Sequence, residues 1–200
     1  MKKIDKATDP ADKRLTDARV LRSRAALVQA GRVLLNKNYE SSMSDIAHSA
    51  GVGRATLYRA FETKEDLVIA IALDCLQSFD RVTEHIEKEA GSALEAVRLL
   101  YESIIPLNEE MQFIMDIGTY ALEDSEVLSL HQSQQDDMQA LVEWARSEGA
   151  IDKSLPSAWV INVMDALLYA AWMMKKEQSY SDKEIVDLAF QAFCSGVSAS

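Results

Sequence analysis

Hydrophobic residues recur along most of the chain three and four positions apart, which is the spacing of one face of an α-helix. Such a stripe starts at Thr16 and predicts a helix of roughly five turns. The other predicted helices lie at 43–49, about 54–60, 63 to about 89, 93–105, 110–123, 125–148, 157–177 and 182–197. No segment alternates apolar and polar residues as a strand does, so the predicted fold is all-α.

Capping residues define the first short helices. Ser42 stands three residues before Asp45, and Thr63 three before Asp66, which is the spacing of a capping box at a helix start. Gly51 stands where a helix should end in the left-handed conformation that glycine adopts without a Cβ clash. The stretch 43–60 is therefore predicted to be two short helices joined by a tight turn.

The charge of the chain is divided unevenly. The 200 residues carry a formal net charge of -11, but residues 1–66 hold 13 Lys and Arg against 9 Asp and Glu, and residues 67–200 hold 8 against 23. Such asymmetry favours a nucleic-acid-facing part joined to an acidic part. We predict a flexible basic arm over 1–15, a nucleic-acid-facing domain over 16–66, and a helical acidic domain over 67–200.

Several features favour a soluble, cytoplasmic chain. The amino terminus shows no apolar segment of the kind found in a signal peptide. The most apolar run, 158–174, spans 17 residues and contains Asn162 and Asp165, so it is predicted to be a buried helix rather than a membrane span. Cys75 and Cys194 stand far apart, which fits a reduced compartment.

The two short helices have the residues that a helix-turn-helix needs. Small Ala47 and flexible Gly51 permit a steep crossing, while apolar Ile46, Leu57 and Phe61 can fix its angle. The second helix then turns a polar side outward, which carries Arg54, Ala55, Thr56, Tyr58 and Arg59. A helix of this kind enters the major groove with its first residues near base edges.

These side chains match the chemistry of DNA recognition. Arg54 and Arg59 can each bond guanine bidentately, and Thr56 can contact a base or a thymine methyl group. Tyr58 and Lys64 fit phosphate contacts. The predicted DNA-binding residues are Ser42, Ser44, Arg54, Ala55, Thr56, Tyr58, Arg59 and Lys64. By pattern alone, an ordinary helical corner with Tyr58 partly in the core explains the stretch equally well.

The stretch "SSMSDIAHSAGVGRATLYRAFETKEDL" resembles the DNA-binding signature of the TetR-type bacterial repressors. The resemblance covers roughly residues 16–70 and departs from the family at Gly53, where a serine or similar cap is usual. It implies a homodimer, formed through the last two helices, that binds a palindromic double-stranded DNA operator. It also implies a small-molecule effector that binds in a helical pocket and releases the DNA.

Two helices carry candidate effector residues. Trp159, Asn162, Asp165, Tyr169 and Trp172 recur at spacings of three and four, and Phe113, Asp116 and Tyr120 form a similar line. Aromatic rings with interspersed carboxylates suit a lipophilic cation. The alternatives are that both lines are ordinary core or that Asp165 faces the dimer seam.

Enzyme chemistry is not indicated. His48, His85 and His131 are scattered, and neither a metal-ligand spacing nor a phosphate loop nor a nucleophile motif occurs. We therefore expect no catalytic residue, no metal and no cofactor. The remaining alternative is a helical adaptor that keeps the helix-turn-helix fold without using it on DNA.

Overall fold

The computed structural model describes residues 10–177 and 179–198, with side chains described for 18–116, 120–177 and 179–198. These residues form ten α-helices and no strand, which confirms the all-α prediction. The helices are α1 (Pro10–Lys37), α2 (Met43–Ser49), α3 (Arg54–Ala60), α4 (Lys64–Thr83), α5 (Ile86–Glu89), α6 (Ala93–Ile104), α7 (Asn108–Ala121), α8 (Ser125–Ser147), α9 (Ser157–Lys176) and α10 (Asp182–Val197).

Most helix bounds lie within two residues of the predicted ones, and two differences are larger. The single helix predicted from 63 to about 89 is divided into α4 and α5, because the chain turns at Glu84 and His85 and α5 packs against α6. The first helix begins at Pro10 rather than Thr16. The predicted arm therefore overlaps α1 over residues 10–15, and its first nine residues lie outside the described residues.

The chain divides into two compact units, one ending at Ile71 and the other beginning at Ala72. The division falls within α4, five residues beyond the predicted boundary at 66/67. The roles assigned to the segments on either side stay predictions.

The first unit is built around the contacts of α1 with α2, α3 and the start of α4. A Cβ on Gly31 would lie 2.9 Å from the Ile71 side chain and 3.3 Å from Leu67, so α1 and α4 approach closely where this glycine sits. The fully buried apolar side chains here include Leu27, Ile46, Leu57, Leu67 and Ile71. This core buries the inner faces of α2 and α3 and so fixes their position on α1 and α4.

The second unit packs α10 against α9 and α6, and α8 against α6 and α9. Buried Tyr101 of α6 meets Phe193 of α10 edge to face, with ring centroids 6.5 Å apart. Reciprocal hydrogen bonds between Ser181 and Glu184 cap the start of α10. The unit is a bundle whose core runs along α6, α9 and α10.

Among the described helices, α9 is the one with the length and composition of a membrane span. Its residues Val160, Met164 and Ala171 are buried, and it packs against α8 and α10. A core helix of a globular bundle meets the same criterion of length and composition.

Candidate nucleic-acid interface and effector site

A capping box fixes the start of α2. The Ser42 hydroxyl accepts a hydrogen bond from the Asp45 backbone N–H at 3.2 Å, and the Ser42 backbone N–H donates to the Asp45 carboxylate at 3.1 Å. The hydroxyl also donates to that carboxylate at 2.6 Å, and these bonds lower the pKa of Asp45. The Ser42 side chain, predicted to contact DNA, is therefore already engaged within the protein.

The turn between α2 and α3 depends on Gly51, whose φ of +65° lies in the left-handed region. The N–H groups of Gly51 and Val52 donate to the carbonyls of His48 and Ala47, at 3.1 and 2.9 Å, which closes the end of α2. Gly53 then begins α3 in an extended conformation without a side-chain cap, as expected from the missing serine.

The orientation of α3 follows from what it buries. Leu57 is fully buried, Phe61 directly after the helix is 2% exposed, and Ile46 of α2 packs in the same core. The opposite side faces solvent, and Tyr58 is 46% exposed. Of the other predicted DNA-binding residues, Ser42, Ser44, Arg54, Ala55 and Arg59 are exposed, and Thr56 and Lys64 are half-buried.

Two cations on α3 are available to a ligand. Arg54 and Arg59 make no hydrogen bond or ion pair with the described residues, and both are exposed. Lys64, at the start of α4, donates to the Tyr39 carbonyl, and its Nζ lies 4.3 Å from the centroid of the Tyr39 ring. The described surface thus presents exposed guanidinium groups on α3 beside an ammonium group held in place on α4.

Arg24 is a further residue of this region that the sequence interpretation did not include. Its Nη1 donates to the carbonyl of Ala60, the last residue of α3, at 3.3 Å, and its guanidinium carbon lies 4.5 Å from the Phe61 ring centroid. Arg24 therefore holds the end of α3 from α1. The two partners stand 36 residues apart, so no local pattern could have indicated the contact.

The candidate effector residues on α9 divide between two environments. Trp159 is 57% exposed, and Asn162 and Tyr169 also face solvent. Asp165 is half-buried and Trp172 is buried. The five residues therefore do not form one face of the core, and their role in binding an effector stays a prediction.

The buried Trp172 ring already has a cationic neighbour. The Lys176 Nζ lies 3.8 Å from its centroid, and the Tyr169 ring lies 5.3 Å away at a tilt of 56°. The indole Nε1 is buried without a hydrogen-bond partner. A cation from solution would thus compete with Lys176 for this ring face.

The line on α7 is similarly divided. Phe113 is 1% exposed, whereas Tyr120 is 75% exposed and Asp116 also faces solvent. These three residues do not enclose a common space, and their binding role likewise stays a prediction.

Asp165 lies in an unfavourable setting for a carboxylate. Burial raises its pKa above the ordinary value of 3.8, and His131 on α8 offsets this only in part. The fully buried hydroxyl of Tyr101 on α6 has no hydrogen-bond partner, and burial, then the charges of Asp165 and Cys194, raise the pKa of Tyr101. Tyr101 was missed by the sequence interpretation because helix packing alone places it near Asp165.

The described residues also show how far the chain meets the requirements of a metal site and of a ligand cavity. There, no group of three or more His, Cys, Asp or Glu side chains is placed to hold a metal ion. A surface depression of about 200 Å³ is lined by side chains of both charges, namely Arg81, Glu84, His85, Lys88 and Glu89.

Comparison with known proteins points to one family. Residues 26–71 match the family model described as bacterial regulatory proteins, tetR family. The HTH-type transcriptional repressor LfrR of Mycolicibacterium smegmatis is 26% identical over 176 residues, which are 88% of this chain and 90% of that protein.

Solved structures agree with that match. The TetR-like transcriptional regulator LfrR from Mycobacterium smegmatis, in complex with proflavine, superposes with a TM-score of 0.72 at 26% identity, covering 90% of this chain and 99% of that one. A TetR family transcription regulator from Marinobacter aquaeolei VT8 gives a TM-score of 0.78 at 20% identity, covering 92% and 100%, and it supports the fold. Residues 26–71, which contain the α2–α3 pair turned at Gly51, therefore match the tetR-family DNA-binding region, and the chain as a whole is similar to TetR-like transcriptional regulators.

Proposed function

We propose that this protein is a homodimeric repressor that binds a palindromic DNA operator through α3 and leaves it when a lipophilic cation binds. The observation that carries the proposal is the outward side of α3. Arg54 and Arg59 are exposed there without partners among the described residues, on a helix anchored from behind by buried Leu57. A rigid helix with free guanidinium groups suits major-groove recognition.

Lys64 supports the same interface. Its contacts with Tyr39 hold the ammonium group beside the start of α4, where a phosphate could bind without a large loss of side-chain entropy. The Asp66 backbone N–H and carboxylate pair reciprocally with Thr63, at 3.1 and 2.9 Å, which fixes this helix start. Repression, rather than activation, is supported by the repressor LfrR.

The homodimer is supported by the exposed side of α9. Trp159, Asn162, Ala166, Tyr169 and Met173 all face solvent and follow one another at intervals of three, four, three and four residues. This is the spacing of a helix-packing seam. Exposed aromatic and apolar side chains in one line mark a protein interface.

The exposed side of α10 fits the same seam, because Leu188, Ala192 and Ser195 face solvent at intervals of four and three. A two-fold axis between α9 and α10 of two copies would cover both lines. Trp159, Asn162 and Tyr169, predicted as effector residues, would then lie at the dimer seam.

The effector class is supported by charge. The second unit carries most of the negative charge of the chain, and Asp165 is a half-buried carboxylate within it. The LfrR structure contains proflavine, a planar aromatic cation. A lipophilic cation would find both an apolar bundle core and a compensating charge here.

Fluorescence anisotropy with the full chain and a labelled fragment of DNA from upstream of its own gene tests the proposal. We expect salt-dependent binding, and Arg54→Ala should weaken specific binding by about 1–3 kcal/mol. Lys153→Ala is the matched control, since it removes one positive charge from the second unit. Binding that is absent at low salt, or equal for both variants, would contradict the proposed interface.

A further inference from the structure

The hydroxyl of Tyr101 is a buried polar group without a partner. Its residue is 0% exposed, and the oxygen makes no hydrogen bond. Nearly all buried polar groups in native proteins have a partner, and leaving one unpaired is costly. This hydroxyl therefore requires an explanation that the packing of α6 alone does not supply.

Asp165 on α9 offers part of that explanation. The carboxylate makes no hydrogen bond or ion pair with the described residues, although it is half-buried. Met164, its neighbour in the chain, lies in the same buried cluster as Tyr101, and the Asp165 charge acts on the phenol. Two oxygen groups without hydrogen-bond partners among the described residues thus come from different helices of the same part of the bundle.

The surroundings of this pair are apolar and adaptable. Tyr101 belongs to the same buried cluster as Met164 and Phe193, and half-buried Met138 packs against that cluster. Methionine side chains change shape at little cost, so the region can accept an apolar body beside the two oxygens. A cation that carries N–H groups could then supply the missing hydrogen-bond partner of these oxygens.

We propose that Tyr101 and Asp165 form the polar end of the effector site and select cations that carry N–H groups, such as protonated amines and amidinium-type ions. The inference rests on the proposed function and specifies its effector. One N–H of the cation donates to the Asp165 carboxylate, which also neutralises the charge. A second N–H donates to the Tyr101 oxygen, whose lone pairs are free.

This arrangement discriminates among cations of equal charge. A fully alkylated nitrogen neutralises Asp165 but has no N–H for Tyr101, so that hydroxyl stays unpaired in the complex. A site built to hydrogen-bond a ligand rejects the analogue that lacks the hydrogen. Selection by N–H content would distinguish this site from one that binds cations through aromatic rings alone.

The test measures dye binding by the full chain without DNA, using proflavine and its analogue in which methyl groups replace all four amino hydrogens and the hydrogen on the ring nitrogen. Wild type should bind proflavine more tightly. Tyr101→Phe should weaken proflavine binding about tenfold, the effect of about 1.4 kcal/mol, and leave the methylated dye within about twofold. Asp165→Asn should weaken both dyes. Tyr180→Phe removes an exposed hydroxyl and is the matched control.

A second readout separates the ligand role from a structural one. If the Tyr101 hydroxyl is unpaired in the free protein, Tyr101→Phe should raise the thermal midpoint and still weaken proflavine binding. A lowered midpoint, an unchanged preference between the dyes, or a wild-type chain that binds neither dye overturns the inference. Anisotropy with operator DNA tests the proposed function separately, because DNA binding that persists alongside a negative dye result removes only the effector assignment.

Discussion

The Arg24 guanidinium carbon lies 4.5 Å from the centroid of the Phe61 ring, and the same guanidinium donates a hydrogen bond to the Ala60 carbonyl. The pair joins α1 to the end of α3. The position of the proposed reading helix therefore depends on a residue of α1 that was not among the predicted DNA-binding residues. Loss of this contact should loosen α3 without unfolding the unit.

Arg24→Ala should lower the free energy of unfolding by about 0.5–1 kcal/mol, the value of an exposed cation–π contact. We expect operator binding to weaken by a similar free energy, about two- to fivefold. Arg22→Ala is the control, because it removes the same charge, and among the described residues Arg22 bonds only Ala18 of its own helix. Equal operator affinities for the two variants would show that the contact does not position α3.

Gly51→Ala should destabilise the first unit by about 1–2 kcal/mol, since φ is +65° and an L-residue is strained there. The space around a new Cβ is open, so strain of the backbone is the whole effect. Gly53→Ala, also in open space but at a φ of -68°, should change stability by less than about 0.5 kcal/mol. Chemical denaturation of both variants provides the measurement, and equal stabilities would contradict the role of the turn.

The bounds of α2 and α3 could be predicted because local chemistry determines them. Ser42, Asp45 and Gly51 act within a few residues, and their capping and turn geometry appear in the structure as the sequence indicates. The end of α4 could not be predicted in this way. No glycine or proline marks the turn at Glu84 and His85, and the packing of α5 against α6 is a tertiary effect.

The candidate effector site was less predictable for the same reason. Spacing placed Asp165 and Trp172 on one stripe with Trp159, but only the packing of α9 on its neighbours decides that Trp159 faces solvent. Tyr101 lies on a different helix, and tertiary packing, which includes its contact with Phe193, buries its hydroxyl without a partner. Periodicity identifies a buried face and does not identify what that face meets.

Lys64→Ala should weaken binding to specific and random DNA by the same factor and reduce the slope of log affinity against log salt by about 1. The reason is that an ammonium group bonded to the Tyr39 carbonyl is positioned for a phosphate and carries no base information. Anisotropy titrations over a range of salt concentrations give the slope. An unchanged slope for Lys64→Ala would remove Lys64 from the interface, and a changed slope for Lys153→Ala would indicate a nonspecific charge effect.

Asp165→Asn should stabilise the protein at neutral pH. Burial raises the pKa of Asp165 above 3.8, so the folded chain retains this proton where the unfolded chain has released it. The stability that the protonated carboxyl contributes is fully present below 3.8 and is lost as the pH rises through the raised pKa. Since asparagine cannot ionise, the variant escapes that loss.

Urea denaturation of wild type and Asp165→Asn between pH 4 and 8 measures the effect as a difference of unfolding free energies. The difference should be near zero at the acid end and grow by at most about 1.4 kcal/mol per pH unit through the titration, then level off. The capping hydrogen bonds lower the pKa values of Asp45 and Glu184, so the stability that these carboxylates contribute is lost in acid. This loss is the same in both proteins and cancels in the difference between their unfolding free energies. The control Asp137→Asn alters an exposed carboxylate on α8 and should match wild type within about 0.5 kcal/mol. If Asp165→Asn is less stable than wild type at pH 7, the ionised carboxylate has a stabilising partner within the folded protein. That result would contradict both the raised pKa of Asp165 and the proposal that its carboxylate is available to a cation.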